Sequence, residues 1–180
     1  MKKLRDCTPI KILRIIYLGL CQSVLQYGIS IWGGAGKSSF MEIERAQRAI
    51  LKVMLKKPFR FPTDELYETF PVLRVRQLFI LSATLHAHKS VKNRPDYQTL
   101  LSKRNFHVPL PNANSLLARR CPYYSHILIY NNINKSCNIK GLSTQSCKLT
   151  TKKLLLSLTY SETEEIINSK HLSAYNTSTL

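Results

Sequence analysis

Residues 39–57, SFMEIERAQRAILKVMLKK, decide the fold that this sequence predicts. At about 100° per residue of an α-helix, apolar and cationic side chains separate onto opposite sides of this stretch. Ser39 and Glu42 have capping-box spacing, so the helix is predicted to begin at Ser39. The segment is therefore predicted to be an amphipathic helix with a row of cations on its outer face. The apolar side holds Ile43, Ala46, Ile50 and Met54, and the cationic side holds Arg45, Arg48, Lys52 and Lys56.

The cationic row has two interpretations, and the sequence leaves both open. A solvated charged face is the commonest fate of such a row. Contact with phosphate groups is the other, and it has equal support because Glu42 and Glu44 lie only at the start and leave few local acidic partners. The candidate nucleic-acid-binding residues are Arg45, Arg48, Lys52, Lys56, Lys57 and Arg60.

The composition of the whole chain points in the same direction. In 180 residues, 27 basic residues face 10 acidic ones, which gives a formal charge of +17. Such an excess favours a polyanionic partner, nucleic acid first and an anionic membrane surface second. A basic protein that needs only solubility is the alternative. The apolar fraction of 44% suffices for a core of one domain.

Upstream of this helix, the sequence predicts another one. Thr8 and Pro9 form a good helix start, and the helix should run to about Tyr27 or Ile29. No charge occurs from Ile15 to Gly36, which imitates a signal anchor. Separate polar and apolar stripes argue instead for a helix packed on a protein core, and against membrane insertion. The polar stripe is Gln22, Gln26 and Ser30, and the apolar stripe is Leu13, Ile16, Leu20, Val24, Tyr27 and Ile31.

Downstream, two helices separated by Pro71 are predicted, the second over about Leu73–Val91. The fold class is mainly α, a small helical bundle over residues 8–92. Residues 93–134 are predicted to be a loop-rich connection, because they hold prolines, asparagines and short apolar runs. Residues 135–180 are predicted to be polar linker, a short helix and a frayed, poorly ordered tail.

Aromatic and basic residues are interleaved in the loop-rich region. They could stack on single-stranded nucleic acid, or anchor the loop to the helices, which we favour. The residues concerned are Arg119, Arg120, Tyr123, Tyr124 and Tyr130.

Cysteines and histidines give no firm metal site. The five cysteines lack a CxxC pair, which argues against a disulfide framework and fits a reducing, intracellular compartment, nuclear or cytoplasmic. The spacing of Cys121, His126, Cys137 and Cys147 is irregular, so free thiols are favoured over zinc. His86 and His88 are predicted to be surface histidines near a helix C-terminus.

Three blocks in order carry a family resemblance. They are IYLGLCQSVLQYGISIWGG (16–34), IERAQRAILKVML (43–55) and LYETFPVLRVRQLFILSATLHAHK (66–89). Together they resemble the region just after the polymerase core of non-LTR retrotransposon reverse transcriptases, especially insect jockey-like elements. The family's Tyr-Gly…Trp-Gly signature is matched by Tyr27, Gly28, Trp32 and Gly33, and its Gln- and Arg-rich helix by Gln47 and Arg48. The resemblance covers about residues 10–133, and in its last part Tyr130-Asn131-Asn132-Ile133 stands where the family has a Trp-Asn pair.

The resemblance implies that residues 10–92 correspond to the thumb, a helical bundle that grips the RNA/DNA primer-template. Trp32 would then be an apolar plug closing the joint between two thumb helices. The palm carboxylates that hold two Mg ions in this family have no counterpart, since Asp6, Asp64 and Asp96 are the only aspartates. We therefore expect a truncated fragment of an RNA-directed DNA polymerase, with residual nucleic-acid binding, no catalytic residue and no cofactor of its own.

Two other functions stay open at this level. The chain could be a helical interaction module that binds the missing polymerase core or a second copy of itself through Leu13, Ile16, Leu20 and Val24. It could also be a membrane-associated basic protein that uses residues 15–32.

Overall fold

The computed structural model describes residues 8–35 and 37–168, apart from the side chain of Lys37. Within these ranges the protein is mainly helical and contains no β-strand, which confirms the predicted fold class. The chain divides into two compact units, Met1–Ser82 and Ala83–Leu180. The three domains predicted from the sequence have other bounds and stay a prediction. The helices are α1 (Ile10–Ile16), followed by a π-helical segment (Tyr17–Gln22), α2 (Ser23–Gln26), α3 (Ile29–Trp32), α4 (Lys37–Met54), α5 (Thr63–Thr69), α6 (Val75–Lys92), α7 (Tyr97–Ser102), α8 (Leu116–Arg120), α9 (Pro122–Ser136), α10 (Thr144–Ser157) and α11 (Tyr160–Asn168).

Helix α1, the π-helical segment and α2 follow one another without a break from residue 10 to residue 26, and we call them the first helical run. The π-helical segment changes which side of this run faces the core. A π-turn holds about one residue more than an α-turn, so the residues after it are rotated by about 100° relative to those before it. Leu13 and Tyr17 are buried, whereas Leu20 is 61% exposed and Val24 is 72% exposed. The prediction of one apolar stripe packed on the core is therefore wrong from Leu20, inside the π-helical segment, onward.

A tight turn at Tyr27 and Gly28 separates α2 from α3. Gly28 has φ +67°, in the left-handed region that favours glycine, so the chain can reverse there without strain. The indole Nε1–H of Trp32 donates to the carbonyl oxygen of Tyr27 at 3.1 Å. The Trp32 ring thus closes over the turn, and its centroid lies 5.6 Å from that of Phe40 on α4.

Gly33 allows a close approach between α3 and α6. A Cβ atom at Gly33 would lie 2.0 Å from Cδ2 of Phe79, which is itself buried. The Phe79 ring also packs on Phe40, with centroids 6.2 Å apart. Only glycine fits this position without displacing a core aromatic ring.

Helix α4 begins at Lys37, so Ser39 lies inside the helix and the predicted capping box is wrong. Its buried positions also differ from the predicted ones. Ala46 is exposed and Ile43 and Ile50 are half-buried, while Met54 is buried as predicted. The side chains that face the core are Phe40, Glu44, Gln47, Leu51 and Met54.

The first helical run, α4 and α5 share one core. Tyr17 packs edge-on against Phe70, with ring centroids 5.8 Å apart and an interplanar angle of 89°. Burying each of these large apolar side chains contributes about 1.5–3 kcal/mol relative to leaving it exposed. The cluster consists of Leu13, Tyr17, Leu51, Met54, Leu66, Phe70 and Val72.

The C-terminal unit is more helical than the sequence predicts. Pro122–Ser136 forms a helix where loops were expected, and Thr144–Ser157 forms one where a polar linker was expected. Asparagines that we interpreted as loop formers instead make tertiary hydrogen bonds. Asn131 bonds both backbone polar groups of Val108, at 3.0 and 2.9 Å, and so connects a segment without regular secondary structure to α9. The predicted frayed tail from residue 169 onward lies outside the described residues.

His88 is buried, which corrects its prediction as a surface histidine. Its Nε2 lies 3.0 Å from the carbonyl oxygen of Leu142, and its Nδ1 lies 3.2 Å from the hydroxyl of Tyr130. A neutral imidazole that donates from Nε2 and accepts at Nδ1 satisfies both bonds. Burial lowers the pKa of His88, which favours this neutral form.

Candidate nucleic-acid interface

The orientation of α4 is set by Gln47, whose side chain is buried in the N-terminal unit. Its Nε2 donates to the Tyr17 hydroxyl at 2.7 Å and to the Leu73 carbonyl oxygen at 2.8 Å. Its Oε1 accepts from the Tyr67 hydroxyl at 2.7 Å and from the Val75 N–H at 3.2 Å. Both donors and both acceptor positions of the amide are thus used. A fully satisfied amide explains why a polar residue occupies the centre of the buried face of α4.

The two phenols around Gln47 stay neutral. Burial raises the pKa of Tyr17 to about 12, and burial likewise raises the pKa of Tyr67. A neutral Tyr67 can donate to Gln47 over the whole physiological pH range. Outside this network, Arg74 lies over the Tyr67 ring at 4.7 Å and pairs with Asp64 at 2.7 Å.

The rotation of α4 that buries Gln47 also places the predicted cations on one side of the buried face, which we call the flank of α4. At about 100° per residue, the cations of α4 lie about 110° around the helix axis from the buried face. Arg45 is exposed, while Arg48 and Lys52 are half-buried. Arg48 Nη1 lies 3.9 Å from the buried Glu44 Oε2, one turn earlier. The Glu44 carboxylate offsets part of the Arg48 charge, so the net positive charge of the flank comes mainly from Arg45 and Lys52.

The last predicted cations lie in the turn after α4, because the helix ends at Met54. Lys56 takes φ +55°, and the Lys57 N–H donates to the Lys52 carbonyl oxygen at 2.9 Å. This is the hydrogen bond of a Schellman motif, with lysine in the left-handed position that glycine usually occupies. The prediction of one cationic row along a single helix is therefore wrong at Lys56, which lies in the turn after the helix. The positive charge of Lys56 still lies next to the cations of α4.

Two phenylalanines in this turn have opposite environments. Lys52 Nζ donates to the Phe59 carbonyl oxygen at 2.6 Å, and Lys57 Nζ lies 4.4 Å from the Phe61 ring centroid. Phe61 packs against the core cluster, whereas the Phe59 side chain is 90% exposed. Because Lys52 and Lys57 contact a carbonyl oxygen and a ring, these contacts leave their positive charges unneutralised.

We call Arg45, Arg48, Lys52, Lys56, Lys57 and Arg60 the cationic surface. Arg45 and Arg60 are exposed, and neither forms an ion pair with a residue that the structure describes. The helix and its turn bring all six predicted residues into one continuous stretch of the N-terminal unit. The sequence interpretation missed Gln47 as the residue that orients the helix, and it missed Phe59. The run Pro58-Phe59-Arg60-Phe61-Pro62, with alternating aromatics between prolines, was the available signal.

The second aromatic and basic group lies in the C-terminal unit. Tyr130 is buried and bonded to His88, so it cannot stack on a base. Tyr123 is 78% exposed, and the exposed Arg119 donates from Nε to the Ala113 carbonyl oxygen at 3.1 Å. This group is split between core and surface and forms a weaker candidate than the cationic surface.

Within residues 8–35 and 37–168, no cluster of three or more His, Cys, Asp or Glu side chains could hold a metal ion. Cys121 is exposed, Cys137 is half-buried and Cys147 is buried, and all three thiols are free. In the same residues, no helix has the length and apolar character needed to cross a bilayer.

Comparison with known proteins adds no family assignment. No protein-family model, no curated protein and no solved structure matches the chain. The likeness to reverse transcriptases therefore rests on the order of the sequence motifs alone.

Proposed function

We propose that the N-terminal unit binds nucleic acid through the cationic surface and that the protein acts without a catalytic centre in these 180 residues. The observation that carries this proposal is the concentration of six cations on α4 and its following turn, with Arg45 and Arg60 exposed and lacking an ion pair within the described chain. Duplex binding is dominated by neutralisation of phosphates and the release of their counterions. A rigid helix flank with several cations suits that purpose.

The partner that we propose is an RNA/DNA primer-template. The motif order of residues 10–92 supports this choice, because in the reverse transcriptases that the chain resembles this region is the thumb. On this proposal the chain derives from an RNA-directed DNA polymerase of a non-LTR retrotransposon. The two Mg ions of such a polymerase would belong to a palm that these residues do not include, and an intracellular location, nuclear or cytoplasmic, belongs to the same proposal.

Charge reversal tests the proposal directly. We expect the purified chain to bind a labelled primer-template at low salt, and the substitutions R45E, R48E, K52E and K56E together to abolish that binding. The matched control reverses the exposed Lys89, Arg104, Arg120 and Lys148, which changes the net charge equally. Equal loss of binding in both variants would mean that only total charge matters, and would contradict a defined site.

A second candidate function rests on a different observation. Large apolar side chains are exposed along the first helical run and along the turn and helix α3 that follow it. Their exposed fractions are Ile12 47%, Ile15 68%, Leu20 61%, Val24 72%, Tyr27 86% and Ile31 75%. We call these six the exposed apolar set. Its members differ from the predicted interaction residues, because Leu13 is buried and Ile16 is half-buried. The partner could be the polymerase core or a second copy of the chain.

The oligomeric state of the purified chain tests this second function. Self-association that disappears when Leu20 and Val24 are replaced by serine would support it. The second function would be contradicted if the chain stayed monomeric at all accessible concentrations and also failed to bind a polymerase core of the family that it resembles.

A further inference from the structure

The turn that follows α4 holds one aromatic ring away from the core. Phe59 is 90% exposed, although the backbone on both sides of it is fixed. Lys52 Nζ binds the Phe59 carbonyl oxygen at 2.6 Å, and the Phe61 N–H donates to the Pro58 carbonyl oxygen at 3.1 Å. Prolines at 58 and 62 further restrict the backbone dihedrals. The ring is therefore presented to solvent by a constrained turn.

Phe61 supplies the anchor of this turn. It packs against the core cluster and lies under the Lys57 ammonium, 4.4 Å from Nζ to the ring centroid. Phe59, two residues earlier, has no comparable packing. The turn thus holds two phenylalanine rings with different roles. Phe61 stabilises the fold, and Phe59 is exposed to solvent.

One cation lies near the exposed ring, and another follows it in sequence. Lys52 Nζ lies 5.8 Å from the Phe59 centroid, and the exposed Arg60 is the next residue. Proteins that bind single-stranded nucleic acid combine such cations, which follow the phosphates, with aromatic rings on which bases stack. An unpaired base could lie on the Phe59 ring while its neighbouring phosphates contact the cationic surface.

We propose that Phe59 is a stacking platform for an unpaired base, so that the cationic surface prefers nucleic acid with a single-stranded segment over a fully paired duplex. This inference rests on the proposed function, since it concerns the same surface. A single ring flanked by charged side chains offers little apolar area to a bilayer, so we favour nucleic acid over an anionic membrane.

The test compares two labelled probes with wild-type, F59A, F59L and F59W proteins. One probe is a single-stranded oligonucleotide of about 12 nucleotides, a length within the usual site sizes of single-strand-binding domains. The other is a blunt duplex of the same length. We expect F59A and F59L to weaken single-strand binding about tenfold, which corresponds to about 1.4 kcal/mol for the loss of one stacked base. Duplex binding should change less than about twofold, and F59W should bind the single strand as tightly as wild type. Because Phe59 is exposed, the thermal unfolding of all variants should coincide.

Each contrary result has a distinct meaning. If F59A binds the single strand like wild type, or if F59L does, stacking by Phe59 is refuted while the cationic surface can still stand. If charge reversal of the cationic surface leaves both probes bound, the proposed function itself fails. If F59A instead loses binding to vesicles of phosphatidylserine and phosphatidylcholine and keeps both oligonucleotides, the ring serves a membrane and the inference is overturned.

Discussion

The first helical run and α4 contribute to one core but present different chemistry to solvent. The first run buries Leu13 and Tyr17 and, beyond its π-helical segment, exposes apolar side chains such as Val24. Helix α4 buries Leu51 and Met54 and carries cations on its flank. The difference shows that the rotation of a helix about its own axis, set by one extra residue or one buried amide, determines which side chains face solvent.

The strongest way to break this comparison is to remove the amide that orients α4. We expect Gln47→Leu to lower the free energy of unfolding by about 3 kcal/mol or more, because it leaves buried polar groups without partners. Those groups are the hydroxyls of Tyr17 and Tyr67, the Leu73 carbonyl and the Val75 N–H. Urea unfolding measures the change.

The control for this variant is Gln26→Leu, at an exposed position of the first helical run. It should change the free energy of unfolding by no more than about 0.5 kcal/mol. A Gln47→Leu protein as stable as the Gln26→Leu protein would show that the amide network does not orient α4.

The next largest effect should come from the close approach at Gly33. We expect Gly33→Ala to destabilise the protein by about 1–3 kcal/mol, because the new Cβ would overlap the buried Phe79 ring. Gly19→Ala is the matched control: no atom outside its chain neighbours and its own helical backbone lies within 4 Å of the added Cβ, and its position is in the π-helical segment. That control should be stabilising by about 0.5–1 kcal/mol. Thermal unfolding that ranks the two variants in the opposite order would contradict the packing of α3 on α6.

The smallest effect on stability should come from the exposed apolar set. We expect the double variant L20S/V24S to change the free energy of unfolding by less than about 1 kcal/mol in all, since both side chains are largely exposed. The same variant should precipitate less at high concentration, because it removes exposed apolar area. A loss of several kcal/mol, measured by urea unfolding, would mean that the first helical run buries this side.

Up to Lys92, helix positions could be predicted well from the sequence, and helix rotations could not. The predicted helix over Leu73–Val91 is found at Val75–Lys92, because its length of apolar sequence and the preceding Pro71 are local signals. The rotation of α4 depends on Gln47, whose partners lie up to 30 residues away in sequence. The π-helical segment could not be predicted either, because the apolar residues fit a regular α-helical period equally well.

Most of the candidate site could be predicted, but its shape could not. Four of the six cations, Arg45, Arg48, Lys52 and Lys56, were identified from their spacing, yet the end of α4 at Met54 and the left-handed Lys56 depend on hydrogen bonds of the following turn. In the C-terminal unit, Asn131 was interpreted as a loop residue because its bonds to Val108 span 23 positions. Long-range pairing of polar side chains is what local sequence patterns fail to indicate.

The salt dependence of duplex binding is the most direct test of the cationic surface. Each neutralised phosphate of duplex DNA contributes about 0.9 to the slope of log K against log salt concentration. If Arg45 and Arg60 each contact a phosphate, the variant R45Q/R60Q should reduce that slope by about 1.8, while the variant R104Q/R120Q should leave it unchanged. An unchanged slope in R45Q/R60Q, or an equal reduction in both variants, would contradict the account that α4 and its turn form the nucleic-acid interface.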